Sequence, residues 1–111
     1  MERDDSILLG HIYDTAMNIA NRLKDVTRQE FDSNEDLRLS IAYKIQVIGE
    51  AASKISIPFR QAHSQMPWAR IIGMRHRIVH DYMDINFNIL WRTAKKDLLV
   101  LIEAIKPLVD E

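Results

Sequence analysis

In Asp5-Ser-Ile-Leu8-Leu-Gly-His-Ile12-Tyr-Asp-Thr-Ala16-Met-Asn-Ile19-Ala-Asn-Arg-Leu23-Lys-Asp-Val26-Thr-Arg-Gln29, the residues Leu8, Ile12, Ala16, Ile19, Leu23 and Val26 recur at spacings of three and four. That period draws one apolar stripe along a helix, and it predicts a long amphipathic helix over residues 5–29. Asp4 and Asp5 suit its start, where carboxylates meet the positive end of the helix dipole. Further along, Leu37, Ile41, Ile45, Ile48, Ala52 and Ile55 repeat the period and predict a second helix over residues 34–56. Ser33 followed by Asp36 resembles a capping box at its start. Gly49 sits inside this helix beside Ala51, Ala52 and Ser53. Glycine costs a helix interior roughly 1 kcal/mol, so its place there predicts close approach of another helix.

Pro58 and Pro67 bracket the least regular stretch, residues 57–66, which should hold a short helical turn. Pro67 fits the first turn of a third helix through Trp68, Ile71, Ile72, Met74, Ile78 and Val79 to about His80. Residues 81–86 form a junction with Asp84 or Asn86 as a helix cap. A last helix then carries Leu90, Trp91, Ala94, Leu98, Leu101, Ile102 and Ile105, and Pro107 should stop it. No stretch reads as a strand, repeat or linker. The expected architecture is all-α: an antiparallel bundle of four principal helices plus a short helical turn, forming one domain over residues 1–111.

Composition narrows the chemistry. The 111 residues suit one domain, and 3 Gly with 3 Pro are too few for the turns of an all-β fold. With 0 Cys there is no disulfide, no thiolate nucleophile and no Cys-based zinc site. No apolar run is long enough for a membrane span, and the polar, acidic start does not read as a secretory signal. The expectation is a cytoplasmic protein. Net charge is −1, yet residues 51–80 contain none of the 16 acidic side chains. They do contain Lys54, Arg60, Arg70, Arg75, Arg77, His63, His76 and His80. Such a stretch is either a solvated face or an anion site suited to a nucleic-acid backbone.

The densest chemistry is Arg75-His76-Arg77-Ile-Val-His80-Asp81-Tyr82. On one straight helix, Arg75 and His80 would lie about 140° apart around the axis and about 7.5 Å along it. They meet only if the helix ends before His80, or if two copies of the segment face each other across a two-fold axis. The residues themselves leave three readings open. One is a structural helix end. Another is a His76/His80 metal pair, which lacks a third ligand nearby. The third is RNA cleavage without metal: the 2′-hydroxyl is a built-in nucleophile, a His moves the proton, and an Arg steadies the phosphoryl oxygens.

This octapeptide resembles the Arg-x4-His-x-Tyr motif of HEPN-domain ribonucleases, in particular the HepT-like toxins. Ile48-Gly49-Glu50-Ala51-Ala52, Pro67-Trp68 through Arg75, and residues 82–91 are also similar to the family, so the likeness covers most of the chain from Leu37 onward. The resemblance implies a helical homodimer with the two motifs facing each other in a basic cleft. It implies Arg75 and His80 as the catalytic pair, with His76 and Arg77 auxiliary. It further implies a minimal nucleotidyltransferase antitoxin that transfers AMP to Tyr82. RNA is the expected substrate, and neither metal nor cofactor is expected. The alternative is a non-catalytic helical module that docks the nucleotidyltransferase or binds nucleotide. Glu50 is a candidate support for Arg75 or a motif His through an ion pair, or else a helix-packing group. His11 and His63 read as surface, interface or loop residues, and Trp68 and Trp91 as core.

Overall fold

The computed structural model describes residues 3–81 and 84–110, and within them every side chain except those of Arg3, Val79, His80 and Asp81. Its fold is all-α apart from one small hairpin. Helix α1 spans Arg3–Leu23 and turns Leu9, Ile12, Ala16, Ile19 and Leu23 into the core. Leu9 takes the buried line that the period assigns to Leu8, which is half-buried. The helix also ends earlier than its period suggests. Thr27 starts a separate short helix α2, Arg28–Asp32, because its hydroxyl accepts from Glu30 N at 3.1 Å and donates to the Glu30 carboxylate at 3.1 Å. A local cap therefore outcompetes continuation of the apolar stripe.

Helix α3, Glu35–Ser53, is capped by Asn34, whose side chain accepts from Leu37 N at 3.0 Å. Ser33, expected in that role, instead donates to Glu30 O at the end of α2. Its buried line, Leu37, Ile41, Ile45, Ile48 and Ala52, is the predicted one. Helix α4, Ile57–Ala62, follows at once, with Pro58 in its first turn. Its cap, Ser56, is held by the buried Asp5 carboxylate, which accepts from Ser56 N at 2.8 Å and from Ser56 Oγ at 2.7 Å. The first turn of α1 is thereby tied to the α3–α4 corner.

The predicted third helix is divided. Helix α5, Trp68–Ile72, closes at Gly73, whose N–H donates to Ala69 O at 2.9 Å. Helix α6, Met74–Ile78, then gives way to strand β1, Val79–Asp81, antiparallel to β2, Asp84–Ile85. No local pattern predicts this hairpin. It forms because Asn86 N donates to Ile78 O at 2.7 Å, diverting the carbonyl that a continuing helix would use. Asn86 then caps helix α7, Phe87–Arg92, through Ile89 N. The chain continues through a wider turn, Thr93–Asp97, into helix α8, Leu98–Val109. Pro107 lies inside α8 and does not stop it. Beyond it Leu108 is buried, and that packing offsets the hydrogen bond proline cannot donate.

Helix α1 packs along both α3 and α8, and α5 and α6 lean on α3. Gly49 makes the second contact possible. A Cβ there would stand 3.3 Å from the Ile72 carbonyl oxygen and 3.6 Å from that of Ile71. The end of α5 thus rests on α3 at backbone distance, which places α6 against α3 and brings Arg75 to a groove lined by α1 and α3. Among the described residues no helix is long and apolar enough to cross a membrane.

Candidate active site

Arg75 leaves the first turn of α6 into solvent. It lines an open groove of about 450 Å³ whose walls are Leu8 and His11 of α1 and Tyr43, Gln46, Glu50 and Ala51 of α3, with Lys54 just beyond. Among the described residues Arg75 forms no ion pair. Glu50 shares the groove, but its carboxylate faces Lys54 Nζ at 3.7 Å, an exposed pair one helical turn apart. An ion pair with Arg75, one of the roles open to Glu50, does not occur among the described residues; the Glu50 carboxylate faces the cation four residues along its own chain.

His76, the next residue, is exposed as well. Arg77 diverges from both. It is half-buried against α8, in a cleft shared with Met74, Asp97, Leu101 and Ala104. Its Nε and Nη2 are buried there without a hydrogen-bond partner among the described residues. The two arginines on either side of His76 thus serve different faces, as a separation of about 200° on a helix requires. The basic stretch is likewise divided: Lys54 with Arg75 in the first groove, Arg60 with Arg70 in a groove between α4 and α5. Density of charge in the sequence does not translate into one basic patch, because the stretch turns two corners.

His80 belongs to β1. The helix that bears Arg75 ends at Ile78, which meets the condition for the two residues to converge within one chain. The His80 side chain and the whole of Tyr82 lie outside the described residues. No group of three or more His, Cys, Asp and Glu side chains suited to a metal ion occurs among the described residues.

The histidines and tryptophans outside the motif are distributed unevenly. His63 caps α4, stacks on Phe59 at 4.2 Å and approaches Phe59 O through Nδ1 at 3.1 Å. Trp68 is buried and donates from Nε1 to His63 O at 3.0 Å. Trp91 packs on Phe31 at 4.9 Å. All three serve packing. His11, by contrast, is exposed on the wall of the Arg75 groove, as is Tyr43. Neither stands out in the sequence, since the helices that carry them are joined to the motif only by tertiary contact.

An all-α scaffold that exposes an arginine at the start of an Arg-x4-His-x-Tyr segment defines a class of small helical domains with the parts for phosphodiester chemistry. Within that class the family described as "Ribonuclease HepT-like" matches residues 12–108. The chain belongs to this HepT-like ribonuclease family. It is 29% identical to "Putative RNase TTE0752" of Caldanaerobacter subterraneus subsp. tengcongensis over 93% of this chain and 92% of that one. It is 30% identical to "Putative RNase MJ1380" of Methanocaldococcus jannaschii over 87% of this chain and 89% of that one. Identity to "Probable ribonuclease HepT" of Thermococcus cleftensis is 24%, over 88% of this chain and 89% of that one. No solved structure matches the chain.

Proposed function

We propose that this chain is a metal-independent endoribonuclease and the toxin of a pair whose antitoxin is a minimal nucleotidyltransferase. Residues 1–111 act as one HEPN-like domain in the cytoplasm. Two copies face each other so that both motifs share a cleft. The observation that carries this reading is the end of α6 at Ile78, which takes His80 off the helix that presents the exposed Arg75.

In this mechanism His80 accepts the proton of the RNA 2′-hydroxyl as that oxygen attacks the adjacent phosphorus. The bond from phosphorus to the 5′-oxygen breaks, and that oxygen leaves as a hydroxyl with a proton from solvent, to which His80 returns the one it took. The products are a 2′,3′-cyclic phosphate and a 5′-hydroxyl end. Arg75 donates to the phosphoryl oxygens, where negative charge gathers in the transition state. His76, exposed beside it, is auxiliary, and Arg77 braces the motif from the α8 side. AMP transferred to Tyr82 would add phosphate charge beside the cleft and repel RNA.

The test is incubation of purified protein with single-stranded RNA, with and without EDTA. Cleavage should survive the chelator and leave cyclic phosphate ends, while DNA and 2′-O-methyl RNA should remain intact. Dependence on a divalent ion would reject the metal-independent mechanism. Cleavage that persists in His80→Ala would remove His80 from it. Absence of RNA cleavage in the wild type would favour a non-catalytic module that docks the nucleotidyltransferase or binds nucleotide.

A further inference from the structure

The groove beside Arg75 has more recognition chemistry than a solvated surface needs. We infer that it is a subsite for the single-stranded RNA that leaves the scissile phosphate, with Tyr43 as a stacking platform for a base; this rests on the ribonuclease reading above. Tyr43 is 67% exposed, the least buried aromatic side chain among the described residues of α1 and α3. It stands where two grooves meet. One runs to Arg75 past His11, Gln46 and Lys54, and the other runs away along α1 past Asp14, Thr15 and Asn18. An exposed aromatic face next to a cationic groove is the arrangement that binds single strands without reading a duplex.

The charges fall in a sensible order. At the motif end Arg75 has no ion-pair partner among the described residues, while the Glu50 carboxylate is matched by Lys54 at 3.7 Å, so the end nearest the chemistry retains net positive charge for phosphate. Toward Tyr43 the α3 wall carries the uncharged Gln46 and Val47. Beyond Tyr43 the groove gains a carboxylate, Asp14, that offsets the charge of Lys44, whose ammonium donates to Asn18 Oδ1 at 2.6 Å. From Lys54 to Tyr43 the helix axis advances about 16 Å, a span for a short stretch of strand rather than a single phosphate.

The probe is a labelled 2′-O-methyl RNA octamer, which the protein should bind and not cleave, titrated at fixed salt. Tyr43→Ala should weaken binding about 5- to 30-fold, the factor that corresponds to about 1–2 kcal/mol of lost stacking. Tyr43→Phe, which keeps the ring, should bind within about twofold of wild type. Lys54→Gln should weaken binding, because the Glu50 carboxylate then stands unmatched in the groove and repels phosphate. A double-stranded probe should be insensitive to Tyr43→Ala. Binding of the single strand by Tyr43→Ala within about twofold of wild type would overturn the assignment. So would a loss accompanied by conversion from dimer to monomer in light scattering, since the groove would then be a subunit interface. RNA cleavage that His80→Ala abolishes while Tyr43→Ala leaves octamer binding intact would sink the subsite alone. Weakened octamer binding without any wild-type cleavage would sink the ribonuclease reading and leave the groove as a single-strand site.

Discussion

At Arg75 the guanidinium is exposed and no carboxylate among the described residues neutralises it, so its full charge is available to a phosphate. Arg75→Ala should therefore lower cleavage about 10²–10³-fold, the usual loss for one well-placed charge-stabilising donor, with an unchanged circular dichroism spectrum. A drop below about tenfold would move the role to another cation. Arg77→Ala should act differently: its side chain lies in the cleft toward α8 and not in the Arg75 groove, so cleavage should fall by less than about tenfold. Tyr82 is tested by intact mass after incubation with the proposed nucleotidyltransferase partner and ATP. The wild type should gain one or more AMP units and Tyr82→Phe none. An equal gain in Tyr82→Phe would turn attention to Tyr13 or Tyr43. At this scale the motif is legible because its residues are close in the chain. The company of His11, Tyr43 and Lys54 is not, since the packing of α3 on both α1 and α6 is what brings them to Arg75.

Between elements, two glycines make opposite predictions. Gly10 lies in α1, and a Cβ added to it would meet nothing within 4 Å. Gly10→Ala should therefore recover helix propensity and raise the melting temperature by about 4–8 °C per 1 kcal/mol gained. Gly49→Ala gains the same propensity but sets a methyl 3.3 Å from a backbone oxygen at the end of α5. Overpacking against backbone costs about 1–3 kcal/mol, so this variant should melt lower and cleave more slowly as α6 shifts. A higher melting temperature for Gly49→Ala would show that α5 can yield. The small-residue patch announces a close approach in the sequence, but it does not name the partner. The end of α1 escapes the sequence for a related reason: the apolar period continues to Val26, whereas a hydroxyl on Thr27 decides where the backbone turns. Asp5→Ala probes the tie between α1 and the α3–α4 corner. It removes two hydrogen bonds to Ser56, and thermal denaturation should show a loss of about 1–3 kcal/mol.

For the whole molecule, Ile7, Leu39, Ile57, Leu99 and Val100 remain exposed on helices α1, α3, α4 and α8, apart from the Tyr43 platform. A homodimer should cover some of them, and light scattering at micromolar concentration should give twice the mass of 13.0 kDa. A strict monomer would remove the shared-cleft arrangement. The helical class, the buried line of α3, most of that of α1 and the Arg-x4-His-x-Tyr segment are legible in the chain, because periodicity and motif spacing are local properties. Tertiary contact sets the stop of the motif helix at Ile78 and supplies the two clefts that Arg75 and Arg77 enter. It also decided that a groove between α1 and α3 runs up to Arg75. Those outcomes depend on one hydrogen bond from Asn86 to Ile78 and one backbone contact at Gly49, each joining residues that no local pattern connects.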